Sequence, residues 1–274
     1  MLTTVLALTA AISLLIALLW FGARALERAL LYHPDPSFRS PEEYGLTGVE
    51  ALRIPAAAPG TELTAWHQAA ARGRPTLIYF HGNAGHLGDR AERFAAFATV
   101  GVGVVMIAYR GYSGSDGRPS ESANIADALA SLDWLIAKQL SSRPFVLYGE
   151  SLGTGVAIAV AANASEDQRK HVSALILDAP YTSIADVGAL AFPMLPVHAV
   201  MRDTYRSIDR APRVTLQTLI VHGSEDTVIP VAMGHKIAEH LGGPSIFREI
   251  SGAGHMDHYP LGSFHHIHQF LADL

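Results

Sequence analysis

The sequence predicts an α/β domain on a mostly parallel, doubly wound sheet, with an antiparallel hairpin leading into it and one transmembrane helix ahead of it. Three observations carry that expectation. Five short apolar runs between residues 76 and 221 are continuous rather than alternating, as strands buried on both faces are. Helix-period segments lie between most of them, and such alternation marks a parallel sheet crossed by helices. An uncharged stretch from Leu2 to Ala23 precedes both. The expected organisation is an anchor with a juxtamembrane helix over 1–31, a linker over 32–46 and a folded body over 47–274.

Taken in order, the apolar stretch would rise roughly 33 Å as a helix, against a hydrocarbon core of about 30 Å. Trp20 falls where interfacial aromatics do, and no basic n-region precedes the apolar run, so an uncleaved anchor is expected ahead of a signal peptide cut near Ala23-Arg24-Ala25 or a buried core helix. Arg24, Arg28 and Arg39 follow the span and no Lys or Arg precedes it, which orients the body to the cytoplasmic side. Within the 32–46 linker, Tyr32-His33-Pro34-Asp35-Pro36 and Ser40-Pro41 read as extended, since each Pro biases its predecessor away from helix. Gly48 to Ile54 and Thr61 to His67 flank the turn-rich Pro55 to Gly60 as a hairpin. The strand-like runs are 76–80, 104–109, 145–148, 174–177 and 218–221, with a last one at 245–250. Helices are expected over 89–100, 122–140, 152–163 and 231–241. The segment 181–213 interrupts the alternation, and reads either as a small cap with an apolar wall or as a surface helix stopped by Pro196.

Composition narrows the function. A net charge of −5 gives no electrostatic footprint for nucleic acid. With no cysteine, thiolate metal sites, cysteine nucleophiles and disulfide scaffolds drop out together. The 24 Gly and 15 Pro are spread along the chain and no repeat is visible, which argues against collagen-like, disordered and solenoid architectures.

In doubly wound sheets the chemistry collects at the carboxyl ends of strands. The run ending at Tyr148 leads into Gly149-Glu150-Ser151-Leu152-Gly153, a G-x-S-x-G pattern on a strand-to-helix turn that exposes the Ser151 hydroxyl as a nucleophile. Ser113 and Ser115, in a similar glycine-flanked stretch, read as turn residues. Of the 14 histidines, His255 in Gly252-Ala253-Gly254-His255 is the candidate base, because it lies in a glycine-rich loop after the last strand. His222 reads as structural at a strand end. His265, His266 and His268 lie along a terminal helix with no carboxylate partner, so no metal is expected. Asp226, just past the strand ending at His222, is the candidate acid, with Glu225 and Asp178 as rivals. The order Ser151, Asp226, His255 follows the Ser…Asp…His order of nucleophile-elbow hydrolases. The oxyanion hole would use the amide of Leu152 and one from His81-Gly82-Asn83-Ala84-Gly85, with Asn83 the candidate donor and His81 a structural residue of that turn.

These segments together resemble the α/β-hydrolase superfamily, and more narrowly its membrane-anchored serine hydrolases. The resemblance runs through Leu30-Leu31-Tyr32-His33-Pro34, the His81–Gly85 loop, Tyr109-Arg110-Gly111-Tyr112-Ser113-Gly114-Ser115, Pro119-Ser120-Glu121, the Ser151 turn, Phe192 to Val197, and the Asp226 and His255 loops. It implies an α/β-hydrolase fold and a membrane-tethered catalytic domain that cleaves carboxylic esters or thioesters through an acyl-enzyme intermediate, without a cofactor. The substrate would be an acyl ester or thioester drawn in part from the membrane, and the bilayer would be a partner through the N-terminal helix. Members range over lysophospholipid and acylglycerol hydrolases, protein depalmitoylases and peptidase-like proteins. A peptidase or amidase on the same residues, or a catalytically silent membrane-bound interaction protein, therefore stand as alternatives.

Overall fold

The computed structural model describes residues 13–14 and 20–274. The expected membrane span lies largely outside the described residues, and among those described no helix is long and apolar enough to cross a membrane. The strands in chain order are β1 (His33–Pro34), β2 (Glu50–Pro55), β3 (Glu62–Gln68), β4 (Thr76–Phe80), β5 (Ala84–Gly85), β6 (Gly103–Ile107), β7 (Phe145–Glu150), β8 (Val172–Asp178), β9 (Gln217–Gly223) and β10 (Ser245–Ile250). The helices are α1 (20–31), α2 (Ala91–Thr99), α3 (Glu121–Ala137), α4 (Leu152–Asn163), α5 (Glu166–Arg169), α6 (Ile184–Ala191), α7 (Val197–Val200), α8 (Ser207–Arg210), α9 (Val231–His240) and α10 (Phe264–Ala272).

Eight strands form one sheet in the order β10-β9-β8-β7-β4-β6-β3-β2. All neighbours run parallel except the β2–β3 hairpin and the β3–β6 pair. Every residue of β4, β6 and β7 is buried, which is why these strands read as unbroken apolar runs rather than alternating ones. The chain passes from β4 to β6 on one side and then crosses back over β4 to β7 on the other. This reversal is the switch point at which such sheets open a crevice beyond their carboxyl ends. The loops after β4 and β7 therefore meet there.

The helices follow their sequence signals closely, with local departures that have identifiable causes. The helix expected from residue 89 begins as a 3-10 turn at Leu87–Arg90, because His86 and Asp89 cap each other's amides before α2 takes over. Ser120 caps α3 by accepting the Ala123 amide at 3.2 Å, and the helix ends three residues short of expectation, with Gln139 in the left-handed region. Helix α4 is buried along its whole length except Asn163, since it fills the space between the sheet and α3. In the 181–213 segment Ser183 caps α6, and Pro193 and Pro196 separate α6 from α7. The 32–46 stretch pairs with the body: β1 lies parallel to β5, and Tyr32 is buried, its hydroxyl donating to Asp203 at 3.0 Å.

Candidate active site

Ser151 stands at the turn from β7 into α4 with φ 50° and ψ −116°, a backbone that costs a side-chain-bearing residue about 1–3 kcal/mol. Two close approaches make this turn possible. A Cβ on Gly149 would strike the Gly153 carbonyl and the Thr154 backbone, and one on Gly153 would fall on the Phe80 carbonyl oxygen. The flanking glycines are thus required by packing of the turn against itself and against β4. The Ser151 amide donates to the Asp178 carbonyl at 2.8 Å, which fixes the turn to the neighbouring strand.

The structure brings Ser151, His255 and Asp226 into one hydrogen-bonded chain. His255 Nδ1 lies 2.7 Å from Asp226 Oδ2, and Nε2 lies 3.0 Å from Ser151 Oγ. A carboxylate only accepts, so Nδ1 carries the proton and Nε2 is left to accept from the serine hydroxyl. Asp226 also accepts the amides of Val228 and Ile229 at 2.9 and 2.8 Å. Burial would raise its pKa, but His222, His255 and the Ile229 amide together hold the carboxyl well below the usual range. Glu225 is exposed, and Asp178 is engaged elsewhere, by Tyr148, Arg93 and His258. His222 donates through Nε2 to the Ile229 carbonyl at 2.8 Å, a structural bond that braces the acid loop.

Leu152 occupies the first position of α4, where a helix leaves its amides without intrahelical partners. Asn83 lies across from it on the β4 loop, and both line the cavity that holds Ser151. The loop carrying Asn83 is held from several directions. Its carbonyl accepts from the His33 amide at 2.9 Å and the Tyr112 hydroxyl at 2.7 Å, and its side-chain amide donates to the Leu31 carbonyl at 3.0 Å. Burial pushes the His81 pKa down to about 3, so the ring is neutral; Nε2 accepts the Tyr109 amide at 3.3 Å while Nδ1 donates to the Gly82 carbonyl at 2.7 Å. Ser113 and Ser115 serve in turns, accepting the amides of Leu87 and Thr64.

The sequence reading did not identify the charged cluster behind the nucleophile. Glu150, the residue before Ser151, is buried and meets the Tyr79 hydroxyl at 2.6 Å, Arg90 at 3.3 Å and Arg93 at 3.7 Å. Against the penalty of burial, the two guanidinium groups hold its carboxyl well below the usual range. Arg93 also reaches Asp178 at 3.2 Å, and Asp178 pairs with His258 at 3.0 Å. A glutamate inside the G-x-S-x-G pattern was the available signal, since a carboxylate beside a buried turn requires cationic partners.

Above Ser151 opens a cavity of about 300 Å³. Its walls are apolar: Val228 and Ile229 of the acid loop, Ile184, Val187 and Ala191 of α6, Leu195 and Val197 beyond it, and Leu26 and Leu30 of α1. The 181–213 segment thus borders the site, and Phe192, Met194 and Leu195 near it stay exposed.

Residues 71–202 match the family described as serine aminopeptidase, S33. The chain is 34% identical over 202 residues to an uncharacterized protein of Mycobacterium tuberculosis, covering 72% of this chain and 69% of that one. It is 30% identical over 227 residues to the lysophosphatidylserine lipase ABHD12 of Xenopus tropicalis, covering 76% of this chain and 58% of the lipase. Among solved structures, an esterase of Pyrococcus furiosus superposes with a TM-score of 0.70 at 17% identity, covering 89% of this chain and 97% of the esterase. Sequence kinship at this level and a sheet of this order, with a strained serine at its switch point, lead to one conclusion: the chain belongs to the α/β-hydrolase family of serine hydrolases.

Proposed function

We propose that the chain is a membrane-tethered hydrolase that cleaves carboxylic esters or thioesters of lipid-like acyl groups, with Ser151 as nucleophile, His255 as base and Asp226 as the acid that orients it. The observation that carries this reading is the Asp226–His255–Ser151 hydrogen-bonded chain lying at an apolar cavity. Ser151 Oγ attacks the acyl carbonyl as its proton passes to His255 Nε2. The oxyanion is received by the amides of Asn83 and Leu152, each worth about 3–4 kcal/mol in the transition state. Collapse expels the alcohol or thiol, protonated by the imidazolium, and leaves an acyl-enzyme. Water activated by His255 then repeats the sequence and releases the acid. These three side chains, the two amides and water complete the proposed reaction without a cofactor.

The description of the matching family as serine aminopeptidase favours a second reading, an amidase on the same residues. An aminopeptidase must hold a free α-ammonium close to the scissile bond. Among the described residues, Glu27 is the one charged side chain lining the cavity, and its carboxylate is taken up by Arg24 and by the amides of Arg202 and Asp203. The apolar walls and the lipase relatives favour the ester. A fluorophosphonate probe should label the protein, and Ser151→Ala should abolish labelling and lower ester turnover by about a millionfold. Labelling unchanged in that variant would remove Ser151 from the reaction, and faster turnover of a matched amide than of its ester would move the substrate class.

The tether rests on the uncharged run from Leu2 to Ala23, and Arg24, Arg28 and Arg39 set the body on the cytoplasmic side. The full chain should stay with membranes through alkaline carbonate extraction, and a C-terminal reporter should be active on the cytoplasmic side. Release by carbonate, or a reporter active only on the far side, would overturn the tether or its orientation respectively.

A further inference from the structure

We propose that α1 forms one wall of the acyl-binding site, and that Leu26 and Leu30 on it set the length of acyl chain the enzyme accepts. The inference rests on Ser151 being the nucleophile and adds to it where the acyl chain lies and which residues measure it.

The residues that α1 turns to the cavity are Ala23, Leu26, Glu27, Leu30 and Leu31. Their spacing of three, four, seven and eight residues from Ala23 is the stripe of one helix face, so a whole face of α1 borders the site rather than one stray side chain. From Ala23 to Leu31 that face extends about 12 Å. Leu26 and Leu30 remain 59% and 49% exposed, so both apolar side chains line the cavity without being consumed by packing. Val187 and Ala191 of α6 and Val200 of α7 line the same cavity, giving a trough of apolar side chains of the kind that holds an alkyl chain.

Two sets of bonds fix this wall in place. At its middle, the Glu27 carboxylate accepts the backbone amides of Arg202 and Asp203 at 2.8 and 2.7 Å, just after α7. Arg202 in turn stacks over Trp20 at 5.0 Å. At its end, Asn83 donates to the Leu31 carbonyl, which ties the helix to the loop proposed to bind the oxyanion. The helix is thus registered against the Asn83 loop at its end and against the segment after α7 through Glu27 and Trp20. An acyl group attached at Ser151 would pass Leu30 first and Leu26 one turn later, with its tail toward Ala23 and the apolar run ahead of it. The substrate class that fits is an ester or thioester of a long, unbranched acyl chain.

The test uses the full chain in detergent micelles and the p-nitrophenyl esters of acetate, octanoate and palmitate. Leu26→Trp and Leu30→Trp should each lower the palmitate-to-acetate ratio of kcat/KM by roughly tenfold or more, within the range a misfitted apolar pocket gives. Leu30→Trp should also lower the octanoate-to-acetate ratio, while Leu26→Trp should affect octanoate less than palmitate. Because the readout is a ratio, partial loss of folded protein cancels, and Leu26→Ala and Leu30→Ala, which need no extra space, provide a second reading through a shifted length preference. Ratios within twofold of the parent in all four variants would overturn the wall. A parent that hydrolyses no ester and takes no fluorophosphonate would instead defeat the assignment of Ser151, and this proposal with it.

Discussion

Asp226 sits one residue from an exposed glutamate, and the difference between them is a matter of what the backbone does at that point. The Glu225 amide donates to the Ala253 carbonyl at 2.8 Å, bringing the acid loop against the histidine loop and leaving the Glu225 side chain outward. Asp226 then turns inward, where two amides and His255 converge on its carboxylate. Asp226→Asn should lower ester turnover by about ten-thousandfold, because an amide cannot hold the imidazole in the required tautomer, whereas Glu225→Gln should leave it unchanged. Steady-state rates of the two variants decide, and the reverse pattern would transfer the role. At this scale the residues that form the Asp226–His255–Ser151 hydrogen-bonded chain could be picked out in the sequence because each sits in a short loop after a strand, close to glycine. The roles of Tyr109 and Tyr112 in holding the His81–Asn83 loop were not legible. A tyrosine's spacing does not reveal that its hydroxyl reaches a carbonyl 28 or 29 residues away.

The loop from β10 to α10 is the element that presents His255. It is pinned at Gly252 by the Ser224 hydroxyl, at Gly254 by Asp257, and at His258 by the buried Asp178. Burial alone would lower the His258 pKa, but the Asp178 charge more than offsets it and raises the value above 6.5. A histidine raised on folding contributes its full stabilisation below the unfolded value near 6.5 and loses it as pH climbs through the folded value. On the partner side the sign reverses. Asp178 is held below 3.8, so its contribution is complete above that pH and fades as acid drives it through the lower folded value. His258→Gln should therefore cost more in Tm at pH 6 than at pH 9. Thermal melts of both proteins across that range check this, and a constant gap would show that the pair does not titrate as an ion pair. Elements apolar on every face, such as β4 and α4, matched their expected bounds, because burial on every side leaves one solution. Those governed by a reciprocal side-chain cap, such as the turn before α2, did not.

Across the whole molecule, the mostly parallel sheet and the gathering of the candidate site at its carboxyl ends followed from strand–helix alternation, whereas the order of the strands had to come from their pairing. Two features escaped that logic, because each depends on contacts between distant parts of the chain. One is the buried ionic cluster under Ser151, where Glu150, Arg90 and Arg93, Asp178 and His258 come from four separate segments. The other is the way residues before the hairpin return to the body. Tyr32 meets Asp203 and Tyr205, and Tyr205 also accepts from Asn124 of α3, so three remote stretches share one buried knot of hydroxyl and amide groups.

The bond from Asn83 to the Leu31 carbonyl bears on where the catalytic unit begins. A chain cut at Tyr32 would retain Ser151, His255 and Asp226, yet Asn83 would lose the acceptor for its side chain, and the amides of Arg202 and Asp203 would lose Glu27. A catalytic unit that keeps these bonds therefore includes α1, and the segment that a hydropathy scan would discard with the apolar run before it helps hold the candidate site together.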